Sequence, residues 1–309
     1  MSALYDALAA RPRLAALLGA FCIAFSGIFY KYSEVSPSTV TVFRCLYGLP
    51  ILILVGMLER RRYGPMAGRT IVLAIIAGVF FAGDLLTWHH AVDYVGAGLA
   101  TVLGNMQVLV VGFVAWAVLG ERPPKPVIAA TPIVLLGAIL ISGVIGRGAY
   151  GVNPPLGVAI GTATALFYAG YLLIIRRGTH DIRRPAGPVA IATASTMVVA
   201  LIEGAIVGDL NLVPSWPSHF WLILVGLTSQ SIGYLLISMS LPRLPAAVVS
   251  IILLAQPVAT VLLARVLLNE IPSWFQAGGV LLIVGGIALA TIPVGQIRDR
   301  ARRARAPVG

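Results

Sequence analysis

Charge is scarce in this sequence. Only 11% of its 309 residues are Asp, Glu, Lys or Arg, while 59% are hydrophobic. A water-soluble domain is nearer a quarter charged, and one of this composition would expose more apolar surface than water tolerates. Lipid is the solvent that fits. Cysteine is scarcer still: Cys22 and Cys45 are the two, both in apolar runs, which excludes a disulfide framework and a cysteine metal set. No GxxxxGK[ST] phosphate loop occurs, which disfavours ATP-driven transport by this chain alone, and no HExxH pattern supports a metalloenzyme. The net charge of +11 comes without a basic stripe interleaved with aromatics, so nucleic acid is not an expected partner. Nothing points to a cofactor.

What the sequence does contain is apolar runs. A membrane-crossing helix needs about 20 mostly apolar residues. Ten runs qualify, over 14–32, 37–58, 70–91, 94–118, 126–145, 155–176, 187–208, 219–240, 245–268 and 273–293. Turn signals separate them, among them Ser36-Pro37, Tyr63-Gly64-Pro65, Asn153-Pro154 and Leu241-Pro242. The first run follows a stretch bearing Asp6 and no small-residue cleavage site, and reads as a retained helix. With the N-terminus in the cytoplasm, only Lys31 and Arg147 of the 22 basic residues fall outside, and only Arg44 and Arg265 within helices. The remaining basic residues all fall on the inside. This asymmetry supports the count, the orientation, cytoplasmic termini and a basic cytoplasmic tail at 294–309.

The chain also repeats. A shift of 149 residues lays Ala97 on Ala246, Thr101 on Ser250, Gln107 on Gln256, Glu121 on Glu270 and Gly137 on Gly286. Two halves follow, 14–145 and 155–293. Five helices per half is an odd number, so the second half enters the membrane from the opposite side. The expected fold is therefore an all-α membrane protein of ten transmembrane helices in two inverted five-helix repeats, the arrangement that supports alternating access.

At these residues the chain resembles the drug/metabolite transporter superfamily, in particular its EamA-type ten-helix carriers. The likeness rests on Leu119-Gly120-Glu121 and its echo Leu268-Asn269-Glu270, on Gln256-Pro257, and on Arg44 within TVFRCLYG. It implies transport of metabolites or drugs, commonly outward. In one departure, Val108 stands where such carriers commonly have a mid-helix proline, which implies a fourth helix less kinked than the ninth.

Ionisable side chains inside a membrane are costly and usually face a cavity or a partner. Arg44 either attracts an anionic group or braces helices. Asp84 is the deepest acid and shares a helix face with Trp88; it reads as a proton-coupling carboxylate, a cation partner or half of a structural pair. His89, with His90 and Asp93 beyond, lies near the outer end of the same helix and reads as part of a polar vestibule. Those three with Asp84 also make an alternative reading, an intramembrane metal-dependent enzyme. Asn105, Gln107 and Gln256 are either hydrogen-bonding glue between helices or site amides. Tyr168 with Tyr171, and Gln230 with Tyr234, could line a cavity for amphipathic cargo or be core residues. Glu203, Arg265 and Glu270 read as interfacial or local. The expected partners are a small-molecule substrate, the lipid bilayer and protons. A channel or a scaffold is the third class.

Overall fold

The computed structural model describes residues 7–141, 153–179, 181, 183–267 and 273–291. Arg147, Leu268-Asn269-Glu270 and the 294–309 tail lie outside them, as do the side chains of Asp93, Thr101 and Arg265. Every regular element among the described residues is helical. In chain order these are α1 (Pro12–Ser33), α2 (Pro37–Tyr63), α3 (Gly68–Asn105), α4 (Gln107–Leu119), α5 (Lys125–Ile141), α6 (Pro154–Gly178), α7 (Ala186–Val207) and α8 (Trp216–Val225). A π-helical turn (Gly226–Gly233) then leads to α9 (Tyr234–Ser240), a single 3-10 turn, α10 (Ala246–Ile252), α11 (Ala255–Leu267) and α12 (Trp274–Thr291).

The turn signals fall on helix ends for physical reasons. Ser36 caps α2 by accepting from the Thr39 amide at 3.3 Å, with Pro37 in the first turn. Asn153 caps α6 in the same way, accepting from Leu156 at 3.3 Å. Gly64, Gly120 and Gly208 end α2, α4 and α7 at positive φ, 84°, 68° and 80°, where a side chain is strained.

Six helical stretches are long and apolar enough to cross a membrane, and four shorter apolar ones accompany them among the described residues. Their outer faces are greasy: Leu54, Phe113, Ile206 and Leu281 are 60%, 66%, 80% and 74% exposed. Apolar surface of that extent is stable against acyl chains and unstable against water. The molecule is a multi-pass membrane protein.

Two of the expected boundaries differ from the structure. The third and fourth runs were expected to part near residues 92–93, yet α3 is helical from Gly68 to Asn105. The axis nevertheless reverses within it. A Cβ built on Gly104 would lie 3.8 Å from the Trp88 ring, whereas sixteen residues of straight helix span about 24 Å. The interruption comes later, at Met106, where the amide bonds to the Leu103 carbonyl three residues back. The ninth run breaks at the matching place, Leu253–Leu254, between α10 and α11. There Pro257 cannot donate to the Leu253 carbonyl, and the Gln256 amide takes it at 3.0 Å. The fourth run is thus interrupted without the proline whose absence implied a straighter helix. Gly104 and Asn105, both poor helix formers, precede the break.

Close glycine contacts set the packing. α3 lies along α6 and α7, α2 along α7, α5 along α12, and α1 along α8, the π-turn and α9. A Cβ on Gly78 would fall 2.3 Å from the Ala192 carbonyl oxygen. Gly137 faces Ile283 while Gly286 faces Val134, a reciprocal pair between α5 and α12.

Polar ties hold both ends of the bundle. At the arginine-rich end the Glu59 carboxylate accepts from the amides of Ala186 and Gly187 at 3.1 Å, satisfying the free N–H groups that open α7. Arg184 donates to the carbonyls of Gly64 and Pro65 at 2.8 and 3.0 Å. Asp181 receives Arg183 and Arg184; the bonds from Arg183 first, then Arg184, hold its carboxyl at about 2, well below the usual carboxylate range. Because that pKa is depressed, the tie is present at neutral pH and is lost only as pH falls through about 2. Arg176 reaches Glu121 at 2.5 Å and the carbonyls of Leu241 and Leu244 at 2.9 and 3.2 Å. At the opposite end Glu203 accepts from Ser38 at 2.6 Å and meets His90 at 3.3 Å.

Two stability predictions follow from this geometry. Glu59→Ala strips the first turn of α7 of its acceptor and should cost about 1–2 kcal/mol, the range of a lost helix cap, read as a lower melting temperature in detergent; an unchanged melting temperature would remove the cap from the account. Gly78→Ala forces backbone apart and should destabilise by about 1–3 kcal/mol. Gly112→Ala, where a Cβ meets nothing within 4 Å, is the control and should be neutral in the same assay.

Candidate functional site

Arg44, eight residues into α2, is only 2% exposed. A guanidinium in such surroundings must be solvated by the protein. Its Nε donates to Gln230 Oε1 at 3.1 Å and its Nη1 to Ser26 Oγ at 3.3 Å. Its Nη2 is buried and has no hydrogen-bond partner among the described residues. Asp84, two turns before the end of the Gly68–Ala91 span, is also buried, and its carboxylate enters no hydrogen bond or ion pair with a described residue. Arg44 bears electrostatically on Asp84, His89 and Tyr234, and Asp84 bears on Tyr168, Tyr171 and Tyr234. One charged centre thus joins helices from both halves of the chain.

An aromatic wall adjoins it. Phe81, one turn before Asp84, stacks on Tyr171 with centroids 4.5 Å apart and meets Tyr234 edge-on at 4.5 Å. Tyr168 stacks on Tyr171 at 6.2 Å. The Tyr168 hydroxyl lies near enough to Gln256 to interact with its side chain, but neither that hydroxyl nor Gln256 Nε2 reaches hydrogen-bond geometry with any group. Ser238 Oγ, one turn beyond Tyr234, is buried and unpaired as well. Buried polar groups are nearly always paired, and these exceptions on helices that meet at Arg44 and Asp84 make this region the candidate site.

The remaining candidates divide. His89 is 2% exposed and not in an open vestibule; its Nδ1 donates to the Leu85 carbonyl at 2.6 Å, and its ring packs between Tyr30 and Trp88 at 4.4 and 5.0 Å. The Trp88 ring reaches the second leg of α3 at Gly104. His90 turns away to Glu203. With the two histidines on different partners and the Asp93 side chain outside the described residues, no group of three or more His, Cys, Asp or Glu among the described residues is placed to hold a metal. Gln107 Nε2 donates to the Ser250 carbonyl at 3.3 Å across the two broken helices, leaving its Oε1 unpaired; Asn105 Nδ2 beside the break is unpaired too.

Gln230 departs most from expectation. Its i, i+4 spacing to Tyr234 suggested a shared wall, but it lies in the π-turn, and its amide is spent on Arg44 and on Thr193 Oγ1 at 2.9 Å. Sequence reasoning missed Ser26, Thr193 and Phe81, and the hydroxyl pair Thr87–Thr164 at 2.8 Å. Of these, only Phe81 left a signal, its place three residues before Asp84.

The chain is 22% identical over 290 residues to human Solute carrier family 35 member G1, covering 89% of this chain and 77% of that protein. One solved structure, described only as "Crystal structure of protein", superposes with a TM-score of 0.77 at 21% identity, covering 91% of this chain and 98% of the other; at that identity it speaks for the fold alone. The model of the EamA-like transporter family matches twice, at residues 12–143 and 155–292. With nearly its whole length accounted for by that double match, the chain belongs to the EamA-like transporter family, within the drug/metabolite transporter superfamily, and is a membrane transporter of small solutes.

Proposed function

We propose that the chain is a secondary transporter that exports small metabolites or drugs across the cell membrane by alternating access, with ten spans in two inverted repeats and both termini cytoplasmic. The observation that carries this reading is the half-paired Arg44 beside an uncommitted Asp84 and an aromatic wall, deep within apolar helices. The two-repeat organisation, 14–145 and 155–293, draws support from the double family match. It draws support also from the contacts: α3 against α6 corresponds under the 149-residue shift to α1 against the α8–α9 run, while α2–α7 and α5–α12 each pair matching helices. The outward direction follows the habit of the family.

In this reading Arg44 receives an anionic group of the solute through its free donors, and the tyrosines with Phe81 carry the organic body. Asp84 exchanges a proton as the site alternates, so that flux follows a proton gradient. The ties at the two ends would have to yield in turn. Those at the arginine-rich end, Arg176–Glu121 and Arg184 to the α2–α3 turn, join the two halves.

In proteoliposomes, with solutes chosen by a thermal-shift screen of metabolites, wild-type flux should rise with an imposed pH gradient and Asp84→Asn should lose that response while keeping its melting temperature. A response unchanged in Asp84→Asn would take the carboxylate out of coupling. Arg44→Gln should weaken the apparent affinity for anionic solutes roughly tenfold to a hundredfold, the worth of a charge-assisted hydrogen bond, and leave neutral analogues of the same shape untouched. Equal losses for both kinds of solute would make Arg44 a brace and not a recognition group.

A further inference from the structure

A guanidinium can grip a planar oxyanion along two edges, Nε–H with Nη2–H, or Nη1–H with Nη2–H. In this protein the first edge is closed. Arg44 Nε donates to Gln230 Oε1 at 3.1 Å. Because arginine offers only donors, this bond fixes which end of the amide faces it. Nε2 is then left to donate to the Thr193 hydroxyl, as it does at 2.9 Å. The second edge is less committed: Nη1 spends one of its two protons on Ser26 Oγ at 3.3 Å, and Nη2 has no hydrogen-bond partner among the described residues.

The backbone is built to hold that amide. Gln230 lies in the eight-residue π-turn Gly226–Gly233, a form often found at functional sites. Three consecutive buried residues there tie the turn to α1, α2 and α7. Ser229 donates to the Cys22 carbonyl of α1 at 3.1 Å, Gln230 bonds to α2 and α7, and Ser231 donates to the Gly48 carbonyl of α2 at 3.0 Å. Only glycine fits opposite. A Cβ on Gly48 would fall 2.9 Å from Gln230 Cγ, and one on Gly226 would fall 3.0 Å from the Arg44 carbonyl oxygen.

We propose that Gln230 is a positioning residue, which rests on the anion-recognition reading above: it closes the Nε edge of Arg44 so that a carboxylate on an aromatic or apolar body docks end-on, across Nη1 and Nη2. The residue touches the arginine and not the solute. Its removal would leave Arg44 charged but free to swing, and an amphipathic carboxylate would lose a fixed fork.

The test uses the purified full chain in detergent with benzoate as probe and benzamide as its neutral counterpart. Two readings are taken: the apparent Kd from ligand-induced thermal stabilisation, and the Nε–H resonance of Arg44 in 15N-arginine-labelled protein, assigned by its loss in Arg44→Lys. Gln230→Leu should raise the benzoate Kd about tenfold, the size of one charge-assisted hydrogen bond, and shift the Nε–H resonance. Gln230→Glu keeps the acceptor but adds a negative charge, so it should hold the resonance while abolishing benzoate binding, a split that a merely structural residue would not give. If Gln230→Leu does not fold, Thr193→Val, which loosens the far end of the amide, should move both readings in the same direction by a smaller factor. Unchanged benzoate affinity and an unmoved resonance in the Leu or Val variant would overturn the positioning role. A wild type that benzoate does not stabilise would overturn the carboxylate assignment, even if the resonance still showed Gln230 holding Arg44; the pH-gradient response of flux would stand apart from either result.

Discussion

A guanidinium that is buried, charged and only partly hydrogen-bonded is the constraint around which this protein is arranged. In lipid such a group cannot be left to find water. Much of the local architecture near Arg44 answers that demand: Ser26 on α1, Gln230 on the π-turn, and Thr193 on α7 behind it. The carboxylate of Asp84 bears on the cation without binding it. On the guanidinium itself the unsatisfied atom is Nη2, with no hydrogen-bond partner among the described residues.

The arginine-rich end of the bundle is held differently from its middle. At the arginine-rich end carboxylates and guanidinia are saturated: Glu59 is filled by backbone amides, and Arg176 by one carboxylate and two carbonyls. In the middle, polar atoms are left over. Saturated groups stabilise a conformation, and in the proposed mechanism the unsaturated ones take up the solute.

Much of the architecture was legible because lipid imposes a strict grammar. Apolar runs of one length, punctuated by Ser-Pro, Asn-Pro and Gly, leave few ways to be read, and the capped starts of α2 and α6 fall where the punctuation stands. Arg44 and Asp84 stood out because an ion in an apolar run is anomalous on its face. Their partners did not. Ser26 and Thr193 look like any small hydroxyl in a membrane helix, and only the approach of α1 and α7 gives them meaning. The π-turn has no compositional mark, since one extra residue per turn changes spacing and not residue type, and nothing in the sequence announces that the Gln230 amide is spent on Arg44 and Thr193. The break at Met106 was hidden in the same way. Backbone amides shifted from i−4 to i−3 partners without a proline to announce it.

The reciprocal seating of Gly137 against Ile283 and Gly286 against Val134 has a mechanical meaning. Each helix carries both a notch and a peg, so sliding one along the other drives both pegs out of their notches together, while a small tilt about the midpoint disturbs each by little. α5 and α12 form a joint that resists shear and permits rotation.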